Sequence, residues 1–347
     1  MELPVEGHPL HTRSITSFVS QHPRGRIRAR GRLIDLRKCS FTPMLGDDMQ
    51  TAGIIHLMGV DAEVDAGTRR LEKLDVTQES VAVEPSERSR GESCRDPAGL
   101  LQALVGERLD AAFPRRLGEL YGGPRGCSHV LTLLQSMASA LPRALDLEEA
   151  RGGPRAAGET LYRRSVLVDG SATPNGGLLL AVQHHDFHNT PLREIRQPLE
   201  VLAEHREVRA LAELDMNSLE LQRVGAWERE RSHGTLTDAP WGDRTPEIRP
   251  LVGARIMPGL GRRVLDLLGP EPENAFLAGA LLQLAPGFVQ CTAAFADRFY
   301  ARGERIGGGR TPSFLQLGGA ENSCYMFRSG APLLQVRNRS ESSESGG

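Results

Sequence analysis

At 347 residues the chain exceeds the usual size of one compact core, so two domains are the expectation. Its 39% hydrophobic and 25% charged residues are those of an ordinary globular protein, and a net charge of −2 with interspersed arginines and acids argues against nucleic acid as a partner. No apolar run approaches a membrane span, Met1 to Gly7 lacks the basic and apolar regions of a signal peptide, and five scattered cysteines fit a reducing compartment better than a disulfide framework, so the chain reads as cytoplasmic.

Residues 1–10 read as a flexible leader. His11 to Val19 is the first alternating segment and Ile27 to Leu36 its partner strand, with His22-Pro23-Arg24-Gly25 as the turn. A loop from Thr42 to Gln50 leads to Ile54–Val64, whose alternation puts His56, Met58, Val60, Ala62 and Val64 on one face. Leu71 to Val76 completes a second hairpin, and Glu79 to Asp96, with Cys94, reads as an exposed loop. Two helices follow, from about Pro97 to Leu109 and from Pro114 to Tyr121. The glycine-punctuated turn Gly122 to Gly126 then delivers Cys127 and His129 to the start of a helix whose apolar face is Val130, Leu133, Leu134, Met137 and Leu141. Residues 142–160, rich in Ala, Arg, Glu, Gly and Pro, read as a linker.

Beyond it the first half recurs. Arg13-Ser14-Ile15 is echoed by Arg164-Ser165-Val166, Ala62-Glu63-Val64-Asp65 by Ala212-Glu213-Leu214-Asp215, Leu104-Val105-Gly106 by Leu251-Val252-Gly253, and Arg115-Arg116-Leu117 by Arg262-Arg263-Val264, at offsets of 151, 150, 147 and 147. At these offsets Cys127-Ser128-His129 falls on Asn274-Ala275-Phe276 and His56 falls on Arg206. The second copy, 161–339, keeps the helix Phe276 to Leu284 but lacks the thiol and imidazoles, so any chemistry belongs to the first copy, 11–141. The chain ends in a strand pair, Ser323 to Phe327 and Pro332 to Val336, and a disordered tail at 340–347.

His56, Cys94, Cys127 and His129 are separate in sequence, but one hairpin, its exit loop and a helix packed on the same sheet can bring them together. Two thiolates and two imidazoles suit zinc or iron in a tetrahedral site. A helix N-terminus also favours a thiolate at Cys127, so a metal-free catalytic thiol is an alternative. The bland readings are a hydrogen-bonded core histidine and a small buried thiol. Asp35 and Asp61 lie near the strands that carry the site, as acid, base or supporting partner, or as solvated strand ends. His184-His185-Asp186-Phe187-His188, cut short by Asn189-Thr190-Pro191, reads as a polar turn. Gly307-Gly308-Gly309-Arg310 reads as a flexible connector, and Trp227 and Trp241 as packing between the copies.

His11-Thr12-Arg13-Ser14-Ile15, Gly31-Arg32-Leu33-Ile34-Asp35, Ile55-His56-Leu57-Met58, Cys94, Gly126-Cys127-Ser128-His129-Val130 and Asn322-Ser323-Cys324-Tyr325 resemble the successive motifs of a bacterial domain family of unknown function. That family reads HTR-I, IHDM and GCTHL, so Leu57 departs from it. The order of hairpin ligand, loop cysteine, helices and Cys/His pair is also similar to iron–sulfur scaffold proteins of the NifU and IscU type, a resemblance that implies ligands at His56, Cys94, Cys127 and His129.

The expectation is an α+β protein of two tandem related domains, each with antiparallel β-hairpins packed against helices, the copies packing on each other as a pseudo-dimer. Its first copy would be a metal-dependent lyase or hydrolase acting on a small-molecule substrate. Zinc or iron would be held by His56, Cys94, Cys127 and His129, with Cys127, His129, Asp35 and Asp61 as the catalytic candidates. The competing readings are a non-catalytic zinc or iron–sulfur carrier, a structural zinc, and a metal-free cysteine enzyme. No nucleic acid and no membrane are expected as partners.

Overall fold

The computed structural model describes residues 7–39, 52–232, 239–301 and 320–336. The loop at 42–50, the glycine run at 307–310 and the tail at 340–347 lie outside them. Period-two alternation produces the first four strands, β1 (His8–His22), β2 (Arg26–Arg37), β3 (Gly53–Asp65) and β4 (Leu71–Ser80). In β2 the buried Ile27, Ala29, Leu33 and Asp35 alternate with the exposed Arg28, Arg30 and Arg32. A 3-10 stretch (Asp96–Leu104) follows, then α1 (Phe113–Tyr121) and α2 (Ser128–Arg151). The second half runs β5 (Thr160–Ala172), β6 (Leu178–Asn189), β7 (Leu202–Leu214), β8 (Leu221–Ser232), a short β9 (Gly242–Asp243), α3 (Thr245–Ile248), α4 (Leu260–Leu268), α5 (Ala275–Leu281) and α6 (Leu284–Ala301).

All nine strands form one antiparallel sheet in the order β4-β3-β2-β1-β5-β6-β7-β8-β9. The two halves therefore meet edge to edge, through β1 and β5, and share one sheet. The pairing registers repeat at the offsets of the sequence echoes: Arg13 faces Asp35 as Arg164 faces Asp186, Ala62 faces Leu74 as Ala212 faces Val224, and the lone bridge Arg70–Arg108 matches Glu220–Arg255. At the junction Ile15 pairs with Val166, its own counterpart, and Arg13–Val168 is mirrored by Ser17–Arg164. A local two-fold axis passes between Ile15 and Val166.

The helices gather on the face that carries Gly31, Asp35, Arg164 and Gly170. α2 rests on β1 to β3, α6 on β1, β5 and β6, and α5 on β6 and β7. Two glycines set how closely they lie. A side chain at Gly31 would come within 2.5 Å of Met137 Sδ and 2.9 Å of Leu133 Cδ1 on α2, and one at Gly170 would meet Cys291 Sγ of α6 at 2.1 Å. The stretch Ala275–Thr292 is apolar enough by composition to cross a membrane, but 56% of it is buried in the fold, where it supplies Phe276, Leu277, Leu281, Leu284 and Phe288 to the core.

Four sequence expectations need correction. Strand β1 starts at His8, inside the segment read as a leader. The segment read as a linker at 142–160 continues α2 through Pro142 to Arg151, because Ala144 and Leu145 keep a buried face on the core, and it turns at Gly152 with φ +69°. His184 to His188 is not a turn: it lies inside β6, with His184, Asp186 and His188 buried on the helix side and His185 and Phe187 on the other. The closing strand pair is a 3-10 turn at Tyr325–Phe327 and one helical turn at 332–336; its apolar residues Met326, Ala331 and Leu334 are buried by local coiling instead of strand pairing.

Candidate functional site

Asp35 is the centre of the site. Strand alternation turns it inward beneath α2, where it is fully buried, and antiparallel pairing places Arg13 of β1 on one side of it and His56 of β3 on the other. Arg13 grips both carboxylate oxygens, Nε to Oδ1 at 2.8 Å and Nη2 to Oδ2 at 2.8 Å. His56 Nδ1 lies 2.9 Å from Oδ2. From above, α2 lowers His129, whose Nε2 is 3.5 Å from the same oxygen and whose ring packs on His56 with centroids 3.8 Å apart. His11, two residues before Arg13 and on the same face, brings Nε2 to 3.7 Å from Oδ1; that nitrogen is buried and has no hydrogen-bond partner among the described residues. The second half reaches in through α6, with Gln290 Nε2 3.0 Å from His129 Nε2.

Electrostatics keeps the carboxyl charged and holds His11 and His129 neutral. Burial alone would push Asp35 up, but the charge and hydrogen bonds of Arg13, joined by His56, outweigh it and hold the carboxyl well below its usual range. Burial pushes His129 well below the usual histidine value, helped by His56 and Arg13, and drives His11 down to about 4 against the pull of Asp35. A metal ion requires neutral imidazole, the form in which His129 is held. Asp35, His56 and His129 each present one ligand atom within 4.8 Å of the others.

The remaining candidates are placed differently. Cys127 caps α2, and its Sγ lies 3.9 Å from His129 Nδ1, on the side of the ring away from Asp35. Burial pushes its thiol up to about 11, although the N–H groups of Val130 and His129 pull the other way, so the helix start does not yield the thiolate expected from sequence. Cys94 is raised to about 12 by burial, with Cys127 and Cys324 adding to the effect. Among the described residues neither set of three groups able to hold a metal contains a cysteine. Asp61 projects from the opposite face of the sheet, where both its oxygens are bound to Arg28. Trp227 covers Gly225 on that outer face and Trp241 stacks under Arg209 and Arg229 there, so neither lies between the halves.

Sequence reasoning missed three participants. His11 and Arg13 carried a signal, since alternation in β1 puts both on the face of Asp35. Gln290 carried none, because its helix belongs to the other half. Cys324 is also drawn to this region: Tyr325 N–H donates to the Gly126 carbonyl at 2.9 Å, and Arg328 pairs with Glu92.

The second half repeats the ion pair with one imidazole beside it, His184, whose Nε2 is 3.7 Å from Asp186 Oδ1 and whose ring packs on Phe276. Arg164 grips Asp186 at 2.7 and 2.6 Å, as Arg13 grips Asp35, but the place of His56 is taken by Arg206 and that of His129 by Phe276, with the Arg206 guanidinium 4.9 Å from the Phe276 ring centre. The chain is thus an α+β protein built on one antiparallel sheet, with a buried cluster of a carboxylate and three imidazoles in its first half and, in its second, an ion pair flanked by the single imidazole of His184. Residues 11–142, which carry that cluster except for Gln290, match the model of a protein family of unknown function, DUF2889. No curated protein and no solved structure matches the chain.

Proposed function

We propose that the first half binds one divalent metal ion, zinc or iron, on Asp35, His56 and His129, and that the protein is a metal-dependent enzyme of lyase or hydrolase type acting on a small molecule. The observation that carries this reading is the internal comparison. Both halves hold a buried Arg–Asp pair at the same place in the sheet, so the pair belongs to the fold. Only the first half surrounds it with three imidazoles; among the described residues the second has His184 alone, and Arg206 and Phe276 stand where His56 and His129 would. We infer that the halves arose by duplication and that the histidines were kept or gained for chemistry.

The spacing supports an ion. Ligands about 2.1 Å from a shared metal lie about 3.0 Å apart at octahedral angles and about 3.4 Å apart at tetrahedral ones. Asp35 Oδ2 is 2.9 Å from His56 Nδ1 and 3.5 Å from His129 Nε2. Arg13 neutralises Asp35, so the donors are mainly imidazole, which suits zinc or iron and not the oxygen-seeking magnesium or calcium. Bound there, the metal would polarise a substrate oxygen or activate water. Arg13 keeps Asp35 anionic and oriented, Cys127 steadies His129 from behind, and His11, neutral and with its Nε2 3.7 Å from Asp35 Oδ1, is the group placed to carry a proton. The depth of the donors, Asp35 above all, favours a retained catalytic ion over the exposed site of a carrier.

Metal analysis of protein purified without a chelating tag tests this. About one equivalent of zinc or iron is expected in the wild type, lost in His56→Ala and His129→Ala while the circular dichroism spectrum persists. Wild-type protein that holds no metal and gains no thermal stability from added zinc or iron would overturn the proposal.

A further inference from the structure

The outward face of the sheet, opposite the helices, carries a second feature. The charges that are interspersed along the sequence are sorted by strand alternation: from Arg26 to Arg32 of β2 every second residue is an arginine, and Arg28, Arg30 and Arg32 all point out. Following the pairing register across the sheet, one continuous rung reads Arg30 (β2), Phe18 (β1), Arg163 (β5), Phe187 (β6), His205 (β7) and Arg231 (β8). Each is the direct cross-strand neighbour of the next, so the six side chains, three arginines and three rings, make a row about 24 Å long, at about 4.8 Å per strand.

The row is built, not scattered. Phe187 stacks on His205 with centroids 4.2 Å apart, and the Arg163 guanidinium lies 4.4 Å over the Phe187 ring. Burial lowers the pKa of His205 to about 4, assisted by Arg231, so at neutral pH it is a flat uncharged ring. Phe18 is 37% exposed although it stands near the middle of the sheet. Arg30 and Arg163 have no carboxylate partner among the described residues; Asp61, the cross-strand neighbour of Arg30, is engaged by Arg28, and Glu207 by Arg209, Arg229 and Arg231. An open sheet face with rings held between arginines matches the two demands of a single strand of nucleic acid, phosphates to neutralise and bases to stack.

We propose that this outward row binds single-stranded nucleic acid, independently of the metal site on the other face. Backbone phosphates would lie along Arg30 and Arg163, and a base would stack on the exposed ring of Phe18, with the packed Phe187–His205 pair and Arg231 as the floor beside it. With no base-edge readers in the row, binding would be tolerant of sequence. The face is local, so a chain with a net charge of −2 can carry it.

The test is fluorescence anisotropy of a labelled oligothymidine of about 12 nucleotides, within the range that single binding domains occupy, titrated with the full-length protein over a series of salt concentrations. Wild type should bind, with affinity falling as salt rises. Phe18→Ala should weaken binding about 5- to 150-fold, the range for loss of one stacked base. Arg30→Ala/Arg163→Ala should reduce the salt slope by about 2. All three positions are on the outer face, and unchanged melting curves will show that the variants fold. No binding by the wild type, binding unaffected by these changes, or equal affinity for duplex of the same sequence would each overturn the proposal. So would a wild-type dimer that Phe18→Ala separates while the oligonucleotide stays unbound, or capture by anionic vesicles in place of the oligonucleotide.

Discussion

Asp35→Asn is the sharpest single perturbation of the site. It removes a charge without changing shape, and it leaves Arg13, 2% exposed, as a buried cation with its counterion gone. Breaking one side of such a pair costs about 3–5 kcal/mol, most of it the penalty of the stranded charge. That is a large share of the roughly 5–15 kcal/mol by which domains are stable. Equilibrium urea unfolding of metal-free protein, followed by circular dichroism, should show the loss as a lower midpoint at unchanged slope. The double variant Arg13→Met/Asp35→Leu, which removes both charges, should recover most of it. The pH dependence adds a second readout. Because the Asp35 carboxyl is held well below its ordinary value in the folded state, the unfolded chain takes up its proton first. Its contribution is complete above about pH 4 and drains away as pH falls through the folded value. Asp35→Asn should flatten this acid limb. A cost under about 1 kcal/mol, as for an exposed pair, would refute the buried-pair reasoning.

Three further expectations follow from the same geometry. His11, lowered to about 4 by burial, is neutral when folded, so metal-free protein should lose up to about 3 kcal/mol as pH falls from about 6.5 to 4, and His11→Gln should remove that part of the loss in a pH series of unfolding curves. Gly31→Ala puts a methyl into Met137 and Leu133; pushing α2 off β2 should cost about 1–3 kcal/mol by urea unfolding, and Met137→Ala in the same chain should restore part of it. Cys127, buried and raised to about 11, should resist iodoacetamide at pH 7 in the native protein and react at once in urea, read by mass spectrometry of the peptide; fast native alkylation would revive the thiol mechanism.

The strands and the helix start at Cys127 were legible because their signals are local: alternation in β1 to β3, glycines before α2, an apolar stripe along it. The four ordered echoes also anticipated the matching registers of the two halves. What sequence left open was decided by pairing at a distance. Nothing near Arg13 or Arg164 states that β1 and β5 join, so the halves were expected as separate packed bodies. The linker reading failed at Pro142 because burial of Ala144 and Leu145 outweighs the propensity of one residue. His184 to His188 was polar enough to suggest a turn, yet Asp186 and Arg164 neutralise each other inside the sheet. In the site, His56 and His129 were found by chemistry alone, whereas the role of Asp35 depended on knowing that Arg13 and His56 are its cross-strand neighbours. Asp61 looked equivalent to Asp35 in sequence, but its odd spacing from His56 puts it on the other side of the sheet.

The junction between β1 and β5 has a consequence for how the chain is made. Its partners lie about 150 residues apart, and ribosomes add about 5–20 residues per second. For roughly 10–30 s a nascent chain therefore displays the bare hydrogen-bonding rim of β1, a shape complementary to β5 of any chain further advanced on a neighbouring ribosome. The same symmetry that closes one molecule permits two to exchange halves, so intertwined dimers are the characteristic by-product to expect when synthesis is fast and crowded.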